Sequence, residues 1–155
     1  MADKSLKFFM RSKEPEIIKC PAPPTFKDAE GKPIELEIKV LSEAELDKIN
    51  DHYRTRTIAT DKKGNPLVQG GEVVFKVEKD NARAGRHIIA EALVYPDLKS
   101  KELMEYYNCH DITEMPRLVF SRPGEFLQVQ RAVMAALGLV EGEAETEKDL
   151  EDAKN

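Results

Sequence analysis

Apolar and charged residues alternate along the segment that follows a Gly-Lys-Pro turn. Positions 34, 36, 38 and 40 are apolar, and positions 35, 37 and 39 are charged. A period of two places each set on its own face of an extended chain, so it predicts a β-strand over about residues 34–41 with one buried face. Ser42 then stands three residues before Glu45, the capping-box spacing at the start of a helix. We expect that helix to run to about Tyr53.

Two further segments, residues 56–60 and 73–77, have the apolar and β-branched composition of short strands. Turn-forming residues separate them: Asp-Lys-Lys-Gly-Asn-Pro at 61–66 and Gly-Gly at 70–71. The pattern predicts that the two strands form an antiparallel hairpin with a long connection.

The C-terminal half of the chain has helical spacing instead. Apolar residues at positions 88, 89, 92 and 93 predict one buried face on a helix between Asp80 and Val94, which Pro96 stops. In the last predicted helix, Pro123 suits a first helical position and Gly138 suits the stop. We predict three helices in this part of the chain after Val94: one over about residues 100–107, a short one that starts at Asp111 or Thr113 and runs through Phe120, and one over 123–137.

Together these elements predict an α+β fold. A small antiparallel sheet or hairpin from residues 34–41, 56–60 and 73–77 packs with a mostly helical C-terminal half. Prolines at positions 15, 21, 23 and 24 indicate an extended connector before the first strand. We therefore expect three parts: an N-terminal arm with this Pro-rich connector (1–29), a single globular domain (30–138) and an acidic, disordered tail (139–155).

Charge is distributed unevenly between these parts. The 155 residues include 24 basic and 29 acidic side chains, for a net charge of −5. Residues 139–155 hold seven of the acidic and two of the basic side chains, so the remaining 138 residues are neutral. A neutral body argues against binding to nucleic acid, which needs clustered positive charge. No apolar run approaches the roughly 20 residues of a membrane span, so we expect no membrane association.

The residue types that carry catalysis or hold metals are present, but not in productive patterns. His52, His87 and His110 lack the spacing of metal ligands. Cys109, His110 and Asp111 are consecutive, whereas a nucleophile, base and orienting acid are assembled from separate elements. The glycines match no phosphate-binding loop. We therefore predict no catalytic residue, no metal site and no cofactor.

The most informative feature is a cluster of large apolar side chains near the N-terminus: Leu6, Phe8, Phe9 and Met10. A helix over residues 5–11 would collect most of them on one side, although a helix so short is marginal alone. Such a cluster must be buried somewhere. Two interpretations stay open: docking on the chain's own core, or contact with a partner or a second copy of the chain.

Several short motifs, read in order, resemble one family, the XkdN-like phage tail assembly chaperones of long-tailed phages and prophages. The similarity spans nearly the whole chain, although this chain has Leu36 where the family often has tryptophan, and residues 62–71 look divergent. The motifs are Ser5-Leu6-Lys7-x-Phe9-Met10, Gly31-Lys32-Pro33-Ile34 before Glu37-Ile38, Ser42-Glu43-Ala44-Glu45, Arg54-Thr55-Arg56, Tyr95-Pro96-Asp97-Leu98, Pro123-Gly124-Glu125 and the ending Glu151-Asp152-Ala153-Lys154-Asn155.

The resemblance implies a non-enzymatic protein of the bacterial host cytoplasm that is absent from the mature virion. It implies a chaperone that binds the tape measure protein, a long helical protein with apolar stripes, and keeps it soluble during tail assembly. The tail tube protein and a second copy of the chain are further candidate partners. As candidate partner-binding residues we take the N-terminal cluster and two positions of the last helix: Leu6, Phe8, Phe9, Met10, Phe126 and Met134.

Two alternatives from other classes stay open. One is a structural tail component that is incorporated rather than released. The other is a nucleic-acid-binding accessory protein that uses the densest basic region of the chain, Arg54, Arg56, Lys62 and Lys63.

Overall fold

The strand predicted from the alternating pattern forms the centre of a three-stranded antiparallel sheet. The computed structural model of the chain describes residues 4–140. In it, β2 (Glu35–Lys39) pairs with β1 (Ile17–Pro21) on one side and with β7 (Leu93–Tyr95) on the other. Leu36 and Ile38 of β2 are buried, as the period of two predicts.

Strand β1 lies within the stretch that the prolines marked as a connector. Its extended shape agrees with that prediction, but β1 is hydrogen-bonded along its whole length, with Ile18 opposite Ile38. Pro21 is tolerated because it ends an edge strand, where a missing N–H group breaks no central ladder. Ala22 and Pro23 beyond it are buried. The sheet therefore includes residues from before the boundary at residue 30.

The helix predicted up to Val94 ends two residues earlier. Helix α2 (Asn81–Ala92) is followed at once by β7, whose Leu93 lies opposite Ile38. The residue before a proline avoids the helical conformation, so the chain is already extended where Tyr95 precedes Pro96. A strand of three residues is too short for its periodicity to be recognised in the sequence.

The other helices agree with the sequence prediction. Ser42 and Glu45 form both hydrogen bonds of a capping box at the start of α1. The last helix ends in a Schellman motif, because Gly138 and Leu139 donate their N–H groups to Ala135 and Met134. The bounds are α1 Glu43–His52, α3 Lys101–Tyr106, α4 Met115–Val119 and α5 Pro123–Ala136.

The predicted hairpin also forms, but apart from the three-stranded sheet. Strands β3 (Arg54–Ile58) and β6 (Phe75–Lys79) pair antiparallel, and the short pair β4 (Val68–Gln69) and β5 (Glu72–Val73) extends them. The three strands predicted from the sequence thus do not share one sheet. Strand β2 cannot accept the hairpin because β1 and β7 occupy both of its edges.

One hydrophobic core lies between the three-stranded sheet and the helices. Its buried members come from β2, from α1 and α2, and from α4 and α5, among them Leu36, Ile49, Ile89, Met115 and Val133. This arrangement confirms the α+β fold with a mainly helical C-terminal half. Within residues 4–140, no helix is long and apolar enough to cross a membrane. The tail predicted for 139–155 lies outside the described residues except for its first two.

Candidate partner-binding surfaces

The N-terminal apolar cluster is exposed in the structure. Leu6, Phe8, Phe9 and Met10 are 74%, 64%, 84% and 73% exposed. Instead of an α-helix over residues 5–11, the segment forms one 3-10 turn, Leu6–Phe9. The Ser5 hydroxyl accepts the N–H of Lys7, and no residue of the turn is buried. A longer helix does not form because nucleation is unfavourable without a surface to dock on.

The exposure of these four side chains favours contact with a partner or a second copy over docking on the chain's own core. In the isolated chain the four side chains are not docked on the core, so the apolar surface of this segment faces solvent. Exposed apolar patches of this kind mark interaction sites in soluble proteins. The arm, defined here as residues 4–13, is therefore the leading candidate for contact with another molecule.

The two candidate residues on α5 have a different environment. Phe126 is partly buried and packs against the hydrophobic core. Met134 is also partly buried, and its carbonyl oxygen accepts the N–H of Leu139 in the helix-ending motif. Leu127, which the sequence analysis did not select, is 56% exposed on the same helix. Helical spacing marks the apolar positions of α5 but does not separate a core contact from an outward one.

A groove lies beside the root of the arm. Residues 11–16 line it together with Leu41 and Leu46 and with Leu137 and Leu139 from the end of α5, and its volume is about 930 Å³. The groove thus brings the base of the arm, the first turn of α1 and the end of α5 to the same place.

A second exposed surface, which was not predicted from the sequence, lies on the hairpin. Directly paired residues of an antiparallel hairpin share a face, and Ile58, Phe75 and Val77 lie together and are 47%, 47% and 66% exposed. The Arg56 guanidinium stacks on the Phe75 ring at 3.9 Å from its centroid. The sequence signal was the alternation within each strand, which indicates the shared face only when the register of the pair is known.

Two basic residues of the region that the nucleic-acid-binding alternative would use make contacts within the chain. Arg54 forms an ion pair with Asp51, and Arg56 is stacked on Phe75. Lys76 on the opposite face pairs with Glu78 at 2.8 Å. Arg54 and Lys76 are thus paired with carboxylates, whereas the Phe75 ring leaves the charge of Arg56 unneutralised.

The consecutive Cys109, His110 and Asp111 do not form a catalytic arrangement. The Cys109 thiol donates to the backbone carbonyl of Asp111 at 3.1 Å. The Asp111 carboxylate accepts hydrogen bonds from Thr113 at 2.7 Å and from Arg83 at 2.9 Å. The Thr113 hydrogen bonds, helped by Arg83, lower the pKa of Asp111. Asp111 therefore orders the chain before α4 and does not orient an imidazole.

The contacts of His87 indicate a structural role. Its Nδ1 atom lies 2.6 Å from the hydroxyl oxygen of Tyr53, and burial lowers its pKa below the ordinary 6.5, more than the nearby Glu91 raises it. Burial also raises the pKa of Tyr53, so both groups are neutral and share one hydrogen bond, whose donor depends on the tautomer of the imidazole. Within residues 4–140, no group of three or more potential ligands is placed to hold a metal ion.

We expect His87 to make folding sensitive to mild acid. Its lowered pKa means that the unfolded chain binds the proton more readily, so the stabilisation is full above pH 6.5 and is lost as the pH falls through the folded pKa. Thermal unfolding midpoints measured across this range should fall more steeply for the wild type than for His87→Gln. His110→Gln, at an exposed histidine, should keep the wild-type slope. Equal slopes for all three proteins would contradict the assignment.

Comparisons with known proteins agree with the resemblance in the motifs. Two proteins of Bacillus subtilis (strain 168) are similar over 123 residues, which is 78% of this chain. The phage-like element PBSX protein XkdN is 31% identical with 76% of its length covered, and the uncharacterized protein YqbN is 30% identical with 75% covered. The crystal structure of the protein YqbN has the same fold, with a TM-score of 0.66 at 24% identity over 88% of this chain and 98% of that one. The phage XkdN-like tail assembly chaperone family matches residues 6–154, and the chain therefore belongs to this family.

Proposed function

We propose that the chain is a non-enzymatic chaperone that binds the phage tape measure protein in the host cytoplasm and keeps it soluble until the tail tube assembles. The observation that carries the proposal is the arm, on which four large apolar side chains are 64–84% exposed. Membership of the tail assembly chaperone family supports a phage tail protein as the partner.

The arm has the properties that covering and later releasing an apolar helical client would require. A long amphipathic helical protein exposes apolar stripes before assembly and aggregates unless they are covered. A chaperone that is later displaced needs an adaptable contact of limited strength. The arm provides a flexible methionine and two aromatic rings on a single turn that ends in extended backbone at Met10.

The proposal is tested by co-expression with the tape measure protein encoded in the same phage or prophage. We expect the tape measure protein to stay soluble and to co-purify with the chain, and to precipitate when expressed without it. A tape measure protein that is equally soluble without the chain would contradict the proposal.

The fate of the chain in the particle separates a chaperone from a structural tail component. We expect mass spectrometry of purified virions to detect the tape measure protein and the tail tube protein but not this chain. Stoichiometric amounts of the chain in the virion would favour the structural alternative.

A further inference from the structure

The hairpin face that contains Phe75 combines apolar surface with positive charge only. Alternation and register place six side chains on it, and none of them is acidic. The opposite face carries threonines and the Lys76–Glu78 ion pair, so it is polar and internally neutralised. The six side chains of the apolar and basic face, called the hairpin face below, are Arg54, Arg56, Ile58, Phe75, Val77 and Lys79.

The C-terminal segment has the complementary charge. The fifteen residues after Val140 contain seven acidic and two basic side chains. The hairpin as a whole, residues 54–79, contains six basic and three acidic side chains. Opposite net charges on two parts of one chain attract each other, and their tether keeps the effective concentration on the order of millimolar.

The segment is also long enough to reach the hairpin. Its starting point lies near the beginning of α1, because Leu139 lines the same groove as Ser42 and Glu43. The hairpin begins at Arg54, directly beyond the other end of this helix of 10 residues, which spans about 15 Å. Fifteen extended residues reach at most about 50 Å, so they can pass along α1 and lie against the hairpin face.

We propose that the acidic segment 141–155 is the occupant of the hairpin face and covers Ile58, Phe75 and Val77 in the free chain. Carboxylates of the segment pair with Arg56 and Lys79 and compete with Asp51 for Arg54, and the backbone of the segment shields the apolar side chains between them. Because these pairs are solvent-exposed, the contact is reversible and weakens as salt shortens the Debye length from about 10 Å at 0.1 M to 3 Å at 1 M. This inference goes beyond the proposed function and does not depend on a client.

Backbone amide chemical shifts of the full-length chain test the contact. In the tail variant Glu141, Glu143, Glu145, Glu147 and Glu151 are replaced by glutamine. We expect amide shifts to differ from the wild type at low salt within residues 54–58 and 75–79, and the differences to vanish at 1 M salt. Absent differences in the hairpin, or differences of equal size over the whole surface, would overturn the proposal.

A reciprocal pair of variants separates a specific contact from a general effect of charge. Arg54→Gln with Lys79→Gln should shift the amides of residues 141–155 towards their positions at high salt. Lys27→Gln with Lys101→Gln removes the same charge from exposed positions away from α1 and the hairpin and should leave those amides unchanged. Equal shifts in both double variants would overturn the proposal. No client is present in either measurement, so a negative result here leaves the proposed function standing.

Discussion

Replacing Phe8, Phe9 and Met10 by serine is expected to abolish the solubility of the tape measure protein on co-expression while leaving the chaperone folded. Burying a large apolar side chain contributes about 1.5–3 kcal/mol. Three such side chains that are fully buried against an apolar stripe therefore account for about 4.5 kcal/mol or more, roughly three orders of magnitude in affinity. The measurement is the soluble fraction of the tape measure protein after centrifugation of the lysate, together with its co-purification.

The fold should tolerate this change, because none of the three side chains is buried and the 3-10 turn contributes nothing to the core. We expect the free energy of unfolding to stay within about 0.5 kcal/mol of the wild type. The matched control replaces Lys7, Arg11 and Lys13 of the same arm by serine. It removes charge but no large apolar side chain and should retain the client. A serine variant of Phe8, Phe9 and Met10 that still keeps the tape measure protein soluble would exclude the arm as the client surface.

The partly buried candidates on α5 are less direct probes. Phe126 packs against the core, so its replacement changes stability and binding together. Met134 is better suited, because its contribution to the helix-ending motif comes from its backbone carbonyl and survives substitution. Its role in binding stays a prediction beside that of the arm.

The second large effect is expected at the core. Phe120 is 2% exposed and is among the largest buried side chains, and its ring meets Phe26 edge to face with centroids 5.6 Å apart. Phe120→Ala should lower the free energy of unfolding by about 3–5 kcal/mol, from lost transfer energy and the cavity left behind. Urea denaturation followed by circular dichroism measures this loss, which is a large part of the stability of an ordinary domain.

Tyr106→Ala provides the comparison for Phe120. Tyr106 is also aromatic but is 79% exposed on α3, so we expect its loss to change the free energy of unfolding by no more than about 0.5 kcal/mol. If Phe120→Ala cost less than about 1 kcal/mol, the chain that follows β1 would not be packed on α4 as described. The Phe26 contact matters because it attaches the residues beyond Pro21 to the helical half.

Elements whose signals lie within a few residues were predicted from the sequence. The strand β2 follows from alternation, the start of α1 from the Ser42 and Glu45 capping box, and the end of α5 from Gly138. In each case the interacting groups are close in sequence, so the local pattern carries the free energy that selects the structure. The two hairpin strands were also predicted, but their register joins residues 17 to 25 positions apart, from Ile58 opposite Phe75 to Arg54 opposite Lys79, and came only from the structure.

Pairings between distant segments were not predictable in the same way. Strand β1 carries the prolines of a connector, and β7 carries the end of a helical stripe, so neither has the sequence pattern of a strand of its own. Both are extended because β2 offers them unpaired N–H and C=O groups, and an unpaired buried backbone group is costly. That contribution comes from a partner far away in the chain, such as Ile38 opposite both Ile18 and Leu93.

The sequence by itself therefore determined the α+β class, most helix bounds, the separation of a neutral body from an acidic end, and an apolar cluster that needed burial. Only the tertiary structure decided which apolar side chains are buried in the core and which stay exposed. The core of the isolated chain is filled by Leu36, Ile89 and Phe120, and the arm remains outside it. The physical reason is that apolar periodicity reports which side chains favour leaving water, whereas the packed volume between sheet and helices sets how many of them the chain can bury alone.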